Sequence, residues 1–192
     1  RAEALQLRGH APLLLCQHLQ LHPDRVLPAP EHRQHSAELV SMDLLREEDS
    51  GKFVETVISQ YGSIDTAVLT VGGFAMGKIA DTTTADILKQ YQLNFETTYN
   101  IARPVFRQMM QQNSGRIFII GSRPGLAAWH GKGMTAYGLA KSLIVRLAEL
   151  MNEEAKGKNV VTSVVVPSTI DTPQNRKAMP GADFSHWVKP ED

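Results

Sequence analysis

Cysteine is almost absent from this chain of 192 residues, in which Cys16 is the only one. No disulfide can form within the chain, and no zinc site can be built from its cysteines alone. Proteins of oxidising compartments usually depend on paired cysteines. We therefore expect a protein of the reducing cytoplasm.

An excess of charge of either sign is also missing, because 20 Lys and Arg residues balance 20 Asp and Glu residues. Proteins that bind nucleic acids usually concentrate Lys and Arg on one surface. No apolar run approaches the ~18 residues that a membrane-spanning helix needs. We therefore expect neither a nucleic acid nor a membrane among the partners.

Strands and helices alternate along the chain, and the length suits one domain, residues 1–192. Short β-rich apolar runs predict strands at Ala11–Cys16, Ala37–Met42, Thr66–Val71, Arg116–Ile120 and Asn159–Val166. The last run is so rich in valine that we expect it to be buried on both faces. Apolar residues at helical spacing predict helices over Glu47–Tyr61, Thr83–Gln112 and Thr135–Lys156. This order predicts an α/β fold, a doubly wound parallel sheet of the Rossmann-like type, with ligands bound beyond the carboxyl ends of the strands.

Residues 17–36 are the stretch with the weakest pattern. They contain three prolines and four of the seven histidines. His18 and His22 are four residues apart, so on a helix they could hold a metal ion together. No carboxylate or histidine framework accompanies them, which favours surface histidines and no metal site. The role of this segment stays open.

Tyr137 and Lys141 are also four residues apart, and they share one face of a predicted helix. A phenol has a pKa of ~10 and is a poor acid–base group near neutrality. An ammonium group ~5 Å away would lower that pKa by roughly two units and make Tyr137 useful for proton transfer. The same spacing also occurs by chance in helices, where it joins a half-buried tyrosine to a surface lysine.

Further candidate residues follow the predicted strands. Ser122 follows Arg116–Ile120 after one glycine, where its hydroxyl could bind a carbonyl oxygen beside the tyrosine. Gly72 and Gly73 follow Thr66–Val71, where the missing side chains would let a ligand approach the backbone. Asn94 lies in the middle of a predicted helix, which is unfavourable for asparagine unless its side chain has a specific partner.

Taken in order, these residues resemble the short-chain dehydrogenase/reductase family. Asn94, Ser122, Tyr137 and Lys141 match the family's catalytic tetrad one by one, with an interval from Ser122 to Tyr137 about two residues longer than usual. The resemblance implies hydride transfer between a nicotinamide cofactor and a carbonyl or alcohol carbon. Tyr137 would donate the proton, Ser122 would hold the oxygen, Lys141 would lower the tyrosine pKa and bind the nicotinamide ribose, and Asn94 would hold a relay water.

The resemblance also implies residues that bind the cofactor. Asp43 and Leu44 match a segment at the adenine. Gly72 and Gly73 stand where the family usually has Ala-Gly after two asparagines, which are Thr and Val here. Cofactor contacts are further implied for Tyr137, Lys141, Pro167, Ile170 and Thr172. The end of the second strand, Cys16-Gln17-His18, lacks an acid for the ribose of NAD, so NADP is favoured over NAD.

Residues 171–187 are similar to the corresponding loop of the dihydropteridine reductases, which implies a carbonyl, alcohol or pteridine-like substrate. The family's Gly-rich phosphate turn is missing from the chain. Residues 1–9 have the pattern of the tail of the family's first helix. We therefore expect a truncated domain that lacks the first strand with its turn and the last strand, and a chain that is part of a longer protein.

Two functions remain open at this point. The complete tetrad favours an active NAD(P)-dependent oxidoreductase. The missing phosphate turn favours a non-catalytic relative that binds nucleotides and has a regulatory or structural role. Family members usually pair through the helices that correspond to Thr83–Gln112 and Thr135–Lys156, which implies a homodimer or homotetramer. The outward apolar positions of these helices could equally belong to the core of a single chain.

Overall fold

Six strands form one sheet in the part of the chain that the computed structural model describes, residues 2–7, 13–17 and 37–191. Their order across the sheet is β3-β1-β2-β4-β5-β6. Their bounds are Ala2–Leu7 (β1), Leu13–Gln17 (β2), Ala37–Met42 (β3), Thr66–Leu69 (β4), Ser114–Ile120 (β5) and Asn159–Val165 (β6).

Four neighbouring strands, β2, β4, β5 and β6, run parallel. Leu69 of β4 lies beside Ile119 of β5, which in turn lies beside Val164 of β6. The three strands therefore end at one edge, and the segments that follow them meet there. The predicted Rossmann-like parallel sheet is confirmed.

The prediction for residues 1–9 was wrong. Residues Ala2–Leu7 form a strand, antiparallel to both β2 and β3, and are not the tail of a helix. Strand β2 pairs directly with β4. Ala, Glu, Leu and Gln are good helix formers, but intrinsic propensity is a weak influence, and pairing with strands on both sides outweighs it.

Helix α1 spans Glu47–Tyr61, as predicted residue for residue. Three acidic residues occupy its first turn, where their negative charges interact favourably with the positive end of the helix dipole. Gly62 ends the helix at a φ of 79°, and its N–H donates to the carbonyl of Ile58. Glycine adopts this left-handed conformation without a steric penalty.

The helix predicted over Thr83–Gln112 consists of three pieces. Thr83 and Asp86 form a capping box at the start of α2, Thr84–Gln90. A π-helical segment, Tyr91–Glu96, follows, and α3 continues over Thr97–Gln112. A π-helical turn inserts extra backbone into a helix and often occurs at functional sites.

The remaining helices complete the connections. They are the short helix Arg123–Leu126 (α4), the long helix Thr135–Glu154 (α5) and the short helix Pro173–Ala178 (α6). Three leucines of α5 lie on the surface, with exposed fractions of 39% to 54%: Leu139, Leu143 and Leu150. These outward apolar positions therefore do not belong to the core of the single chain.

One hydrophobic core lies between the sheet and helices α1, α3 and α5. Ile117 and Ile119 of β5 are buried in it, together with Val105 of α3 and Ile144 of α5. The valine-rich strand β6 is not buried on both faces as predicted, since Val161 and Val165 are each 42% exposed. β6 is the edge strand of the described sheet, and its residues alternate between the core and the outside.

No helix in residues 2–7, 13–17 and 37–191 is long and apolar enough to cross a membrane. Within the same ranges, no group of three or more His, Cys, Asp or Glu residues is arranged to hold a metal ion. His18 and His22, the pair considered as metal ligands, lie outside the described residues, as does most of segment 17–36.

Candidate active site

A cavity of about 480 Å³ opens at the carboxyl edge of the sheet. Its walls come from the segments that follow β4, β5 and β6 and from helix α5. Gly72, Ser122, Tyr137, Lys141 and Pro167 are among the residues that line it. Strand ends that converge at one edge are the usual ligand site of such sheets, as the sequence predicted.

Helix α5 supplies Tyr137 and Lys141 to this cavity. Lys141 is only 4% exposed, and its Nζ donates to the carbonyl of Ile120 at the end of β5, over 2.8 Å. Its Nζ lies 6.0 Å from the centroid of the Tyr137 ring. Burial lowers the pKa of Lys141 to about 8, because the charged form loses hydration.

The expected lowering of the Tyr137 pKa is not found. Burial raises the pKa of the phenol, because a phenolate would lose hydration, and the Ser122 hydroxyl only partly opposes this. The ammonium group of Lys141 is bound to the carbonyl of Ile120 instead of the phenol. In this structure the phenol is therefore held in its protonated form.

Ser122 is 8% exposed and lines the cavity just beyond β5. Its hydroxyl is close enough to Tyr137 to act on the phenol's pKa, but no hydrogen bond with acceptable geometry joins the two groups. Among the described residues, its Oγ has no hydrogen-bond partner. A buried hydroxyl without a partner is costly, and an incoming oxygen atom would remove that cost.

Asn94 lies in the π-helical segment and is completely buried. Its side-chain Oδ1 accepts from the N–H of Gly73, and its Nδ2 donates to the carbonyl of Gly73, both over 3.1 Å. The same Nδ2 group contacts the backbone and side-chain oxygens of Gln90 at 3.2 and 3.0 Å. The Asn94 amide thus holds the loop after β4 in place, which accounts for an asparagine in the middle of a helix.

Gly72 cannot be replaced by a larger residue without moving this part of the site. A Cβ atom there would lie 2.7 Å from Oδ1 of Asn94 and 3.3 Å from Nζ of Lys141. The contact with Oδ1 is far inside van der Waals distance. The glycine lets Asn94 and Lys141 approach the same stretch of backbone.

The structure brings most of the predicted site residues together in the cavity wall but leaves three outside. Gly73, Ile170 and Thr172 also line the cavity. Asn94 lies behind the wall, where it holds the backbone of Gly73. Asp43 and Leu44 do not line the cavity either. The Asp43 carboxylate accepts from the N–H of Leu45, and the Leu44 side chain is buried in the core.

Sequence reasoning missed several residues of the cavity wall. Phe74 packs edge-on against the Tyr137 ring, with 5.2 Å between the ring centroids. Arg123, His130 and Met134 line the cavity on the side of Ser122. The position of Arg123 directly after Ser122 was the one signal in the sequence that could have revealed any of them.

Two loops on opposite sides of the cavity are joined by a short parallel bridge between Gly77 and Met134. The N–H of Gly77 donates to the carbonyl of Gly133 over 2.7 Å, and the N–H of Thr135 donates to the carbonyl of Gly77 over 2.9 Å. Gly133 has a φ of 75°, which favours glycine. The bridge fixes the chain two residues before Tyr137.

The loop after β6 closes another side of the cavity. Thr172 caps α6 by accepting from the N–H of Asn175. The Asp171 carboxylate accepts from both Nε and Nη2 of Arg176, over 2.5 and 2.7 Å, and this pairing holds the pKa of Asp171 below its usual value. The Arg176 guanidinium also lies 4.7 Å from the centroid of the Phe184 ring. These contacts give the loop a defined shape.

The parallel strands β2, β4, β5 and β6, with a cavity at their carboxyl ends, are those of a Rossmann-like fold, and comparison with known proteins identifies the class. The sequence model of the short chain dehydrogenase family matches residues 2–182. The chain belongs to this family, as the tetrad predicted.

The chain is similar to several curated proteins over part of their length. It is 29% identical over 140 residues to the uncharacterized oxidoreductase YvrD of Bacillus subtilis, covering 73% of this chain and 52% of that protein. It is 32% identical over 124 residues to the 3-ketodihydrosphingosine reductase of Mus musculus, covering 62% and 37%. The matches thus span about half the length of these relatives, or less.

Solved structures share the fold. The crystal structure of gox2181 superposes with a TM-score of 0.70 at 25% identity, covering 79% of this chain and 63% of that one. ElxO with NADP bound superposes with a TM-score of 0.67 at 24% identity, covering 75% and 58%. NAD+-bound xylitol dehydrogenase gives 0.65 at 24% identity, covering 74% and 56%. Neighbours of this fold thus bind either nicotinamide cofactor.

Proposed function

We propose that the cavity is the active site of an NAD(P)-dependent oxidoreductase that transfers hydride between the nicotinamide and a carbonyl or alcohol carbon of a small molecule. The observation that carries this proposal is the convergence of Ser122, Tyr137 and Lys141 in one cavity, with a buried serine hydroxyl that has no partner among the described residues. The cofactor supplies the hydride when bound. The residues of the chain supply the proton, the orientation and the electrostatic environment.

Tyr137 is the proton donor in this proposal. A general acid must be protonated before it reacts, and burial raises the pKa of this phenol. The protonated phenol suits the reduction of a carbonyl, in which the oxygen needs a proton as hydride reaches the carbon. In the reverse direction the phenolate would have to form, and the ammonium group of Lys141 would stabilise it by turning from the Ile120 carbonyl.

Ser122 would hold the substrate oxygen. Its hydroxyl is fixed at the end of β5, beside Tyr137, and is not used by the described residues. A donor that is already in place loses little entropy when it binds the oxygen on which negative charge develops. Removal of one such donor typically lowers turnover by ~10²–10³-fold.

Asn94 has a positioning role in this proposal, and the relay water implied by the resemblance is not part of it. The amide is engaged with Gly73 and Gln90 through four contacts. It would therefore act by fixing the backbone of Gly73, against which a nicotinamide ring could lie.

The cavity fits the nicotinamide end of the cofactor better than the adenosine end. Gly72, Gly73, Pro167, Ile170 and Thr172 line it beside Lys141, whose ammonium group would meet the ribose. Asp43 and Leu44 lie outside it. NADP stays our preference over NAD, on the ground that Cys16-Gln17-His18 contains no acid. Only Cys16 and Gln17 of this segment are among the described residues.

One observation favours the alternative, a non-catalytic relative that binds nucleotides. The sequence contains no Gly-rich phosphate turn, on which a tightly bound dinucleotide usually depends. A protein of this kind would bind NADP(H) or NAD(H), if at all, without turning over a substrate.

Replacement of Tyr137 by Phe tests the proposal. We expect Tyr137→Phe to lower turnover by ~10²–10⁴-fold, the usual contribution of a general acid, while the cofactor still binds. Calorimetric titration with NADPH and NADH measures binding, and absorbance of the reduced nicotinamide measures turnover on a panel of carbonyl compounds that includes quinonoid dihydropteridine. Near-normal turnover of the variant would refute the role of Tyr137. Binding without turnover by the unmodified chain on the whole panel would favour the alternative.

A further inference from the structure

The cavity wall on the side of Ser122 carries a positive charge that the proposed hydride transfer does not use. Arg123 follows Ser122 directly, begins α4 and lines the cavity together with His130. The guanidinium group is exposed to solvent, and it forms no salt bridge with any described residue. An unpaired arginine beside a candidate oxygen-binding serine is placed to contact a substrate.

Negative charge is missing from the same wall. None of the described residues that line the cavity is Asp or Glu. The nearest carboxylate along the chain is that of Asp171, between the lining residues Ile170 and Thr172, and both of its oxygens are bound to Arg176. Lys141 adds a second positive charge at neutral pH, since its pKa is about 8. The field in the cavity therefore favours an anion.

The two positive groups have different tasks. Lys141 is buried and bound to the carbonyl of Ile120, so it belongs to the machinery around Tyr137. Arg123 is exposed to solvent, lines the cavity and follows the serine that would hold the substrate oxygen. A planar guanidinium group binds carboxylate and phosphate through two parallel hydrogen bonds, which gives orientation as well as affinity.

We infer that the substrate carries a carboxylate or phosphate group, which Arg123 binds while the carbonyl oxygen lies at Ser122 and Tyr137. This inference rests on the proposed function and adds a substrate class to it: anionic carbonyl compounds. Arg123 then determines which carbonyl compounds are turned over, and it has no part in hydride or proton transfer.

Matched pairs of charged and neutral compounds test this inference. The panel contains 2-, 3-, 4- and 5-oxo acids with their methyl esters, and dihydroxyacetone phosphate with dihydroxyacetone. We expect at least one charged compound to exceed its neutral partner in kcat/KM by roughly tenfold or more, the range of a hydrogen bond to a charged group. In Arg123→Gln this preference should disappear, with a higher KM for the charged compound and a similar kcat. The reason is that Arg123 would bind the anionic group equally in the bound substrate and in the transition state. Arg123→Lys should restore part of it.

Arg107→Gln is the matched control. It removes the same charge from an exposed arginine of α3, which lines a groove between α1 and α3 away from the cavity. We expect it to keep the preference for the charged compound. The dissociation constants of NADPH and NADH, from nicotinamide fluorescence, should be the same in Arg123→Gln and the unmodified chain.

The outcomes separate this inference from the proposed function. No turnover of any compound would count against the proposed function itself. Equal turnover of charged and neutral partners, or the same preference in Arg123→Gln, would overturn the role of Arg123 and leave the oxidoreductase intact. Loss of NADPH affinity in Arg123→Gln would overturn it too, because Arg123 would then belong to the cofactor site.

Discussion

The two sides of the cavity are held together by different kinds of interaction. On the inner side, Asn94 and Lys141 are buried, and backbone groups pair with their side chains. On the outer side, the loop after β6 depends on the pairing of Asp171 with Arg176 and on the contact of Arg176 with the Phe184 ring. The inner contacts are shielded from water, and the outer ones are exposed to it.

This difference indicates that the inner side holds its residues rigidly, whereas the loop on the outer side can change its shape at little cost. A buried polar network is costly to disturb, because each group left unpaired loses its hydration without compensation. Exposed ion pairs contribute little to stability and are screened by salt. We therefore expect changes on the inner side to alter stability and turnover together. Changes on the outer side should alter substrate binding alone.

The largest effect on stability is expected from Asn94→Ala, which would remove the buried hydrogen bonds of the inner side. It leaves the N–H and the carbonyl of Gly73 without their partner, so the free energy of unfolding should fall by about 2–4 kcal/mol. Asn100→Ala is a matched control in α3. It removes one hydrogen bond, from Nδ2 to the carbonyl of Leu44, and should cost about 1–2 kcal/mol. Denaturation in urea measures the stability of both variants. An equal loss of stability in the two would contradict the role of Asn94 in holding the backbone of Gly73.

A pH-dependent effect of similar size is expected from Lys141. Its pKa of about 8 in the folded chain lies below the ordinary value of 10.5. Between these values the unfolded chain binds more protons, so the free energy of unfolding rises with pH, and each pKa unit corresponds to about 1.4 kcal/mol. Stability should therefore increase by about 2–3 kcal/mol from about pH 8 to about pH 10, relative to Lys141→Met.

Urea denaturation of the two proteins across that pH range gives this difference. Titration of the other groups cancels in the comparison, because both proteins contain them. Parallel stability curves would show that Lys141 is not desolvated to the extent that its burial implies.

The smallest effect on stability is expected from Arg176→Met on the outer side. The Arg176 side chain is 52% exposed and that of Asp171 is 17% exposed, so solvent and salt screen the pair and the midpoint of urea denaturation should not change measurably. The loop loses its defined shape, and KM should rise by roughly 3- to 10-fold while kcat changes little. A fall in stability as large as that of Asn94→Ala would remove the distinction between the two sides.

Much of the architecture could be predicted from the sequence because local patterns agree with the tertiary structure. Helix α1 has both an apolar face of helical period and a glycine stop, and its bounds are as predicted. Ala2–Leu7 lacks such agreement, since its residues favour a helix locally, whereas pairing with β2 and β3 makes the segment a strand. The excess of valine in β6 indicated a strand, but it could not indicate that the strand lies at the edge of the described sheet.

The candidate site was predictable in its residues and not in its bonding. Spacing placed Tyr137 and Lys141 on one helix face, but it could not show that Lys141 donates to Ile120 and that burial dominates the phenol's pKa. The π-helical segment leaves no periodic signal in so short a stretch, and only the unusual position of Asn94 indicated it. Arg176 and Phe184 meet through the folding of a loop, which no spacing rule predicts.

The bridge between Gly77 and Met134 has a consequence for how the family's sequences can vary. The interval between Ser122 and Tyr137 is longer here than the family pattern, and the bridge fixes the chain at the end of this interval, just before α5. Changes of length before Gly133 therefore leave the tyrosine in place, whereas a single insertion between Gly133 and Tyr137 would rotate it by about 100° around α5. In an alignment of relatives, we expect insertions and deletions to gather at residues 126–132 and to spare residues 133–137.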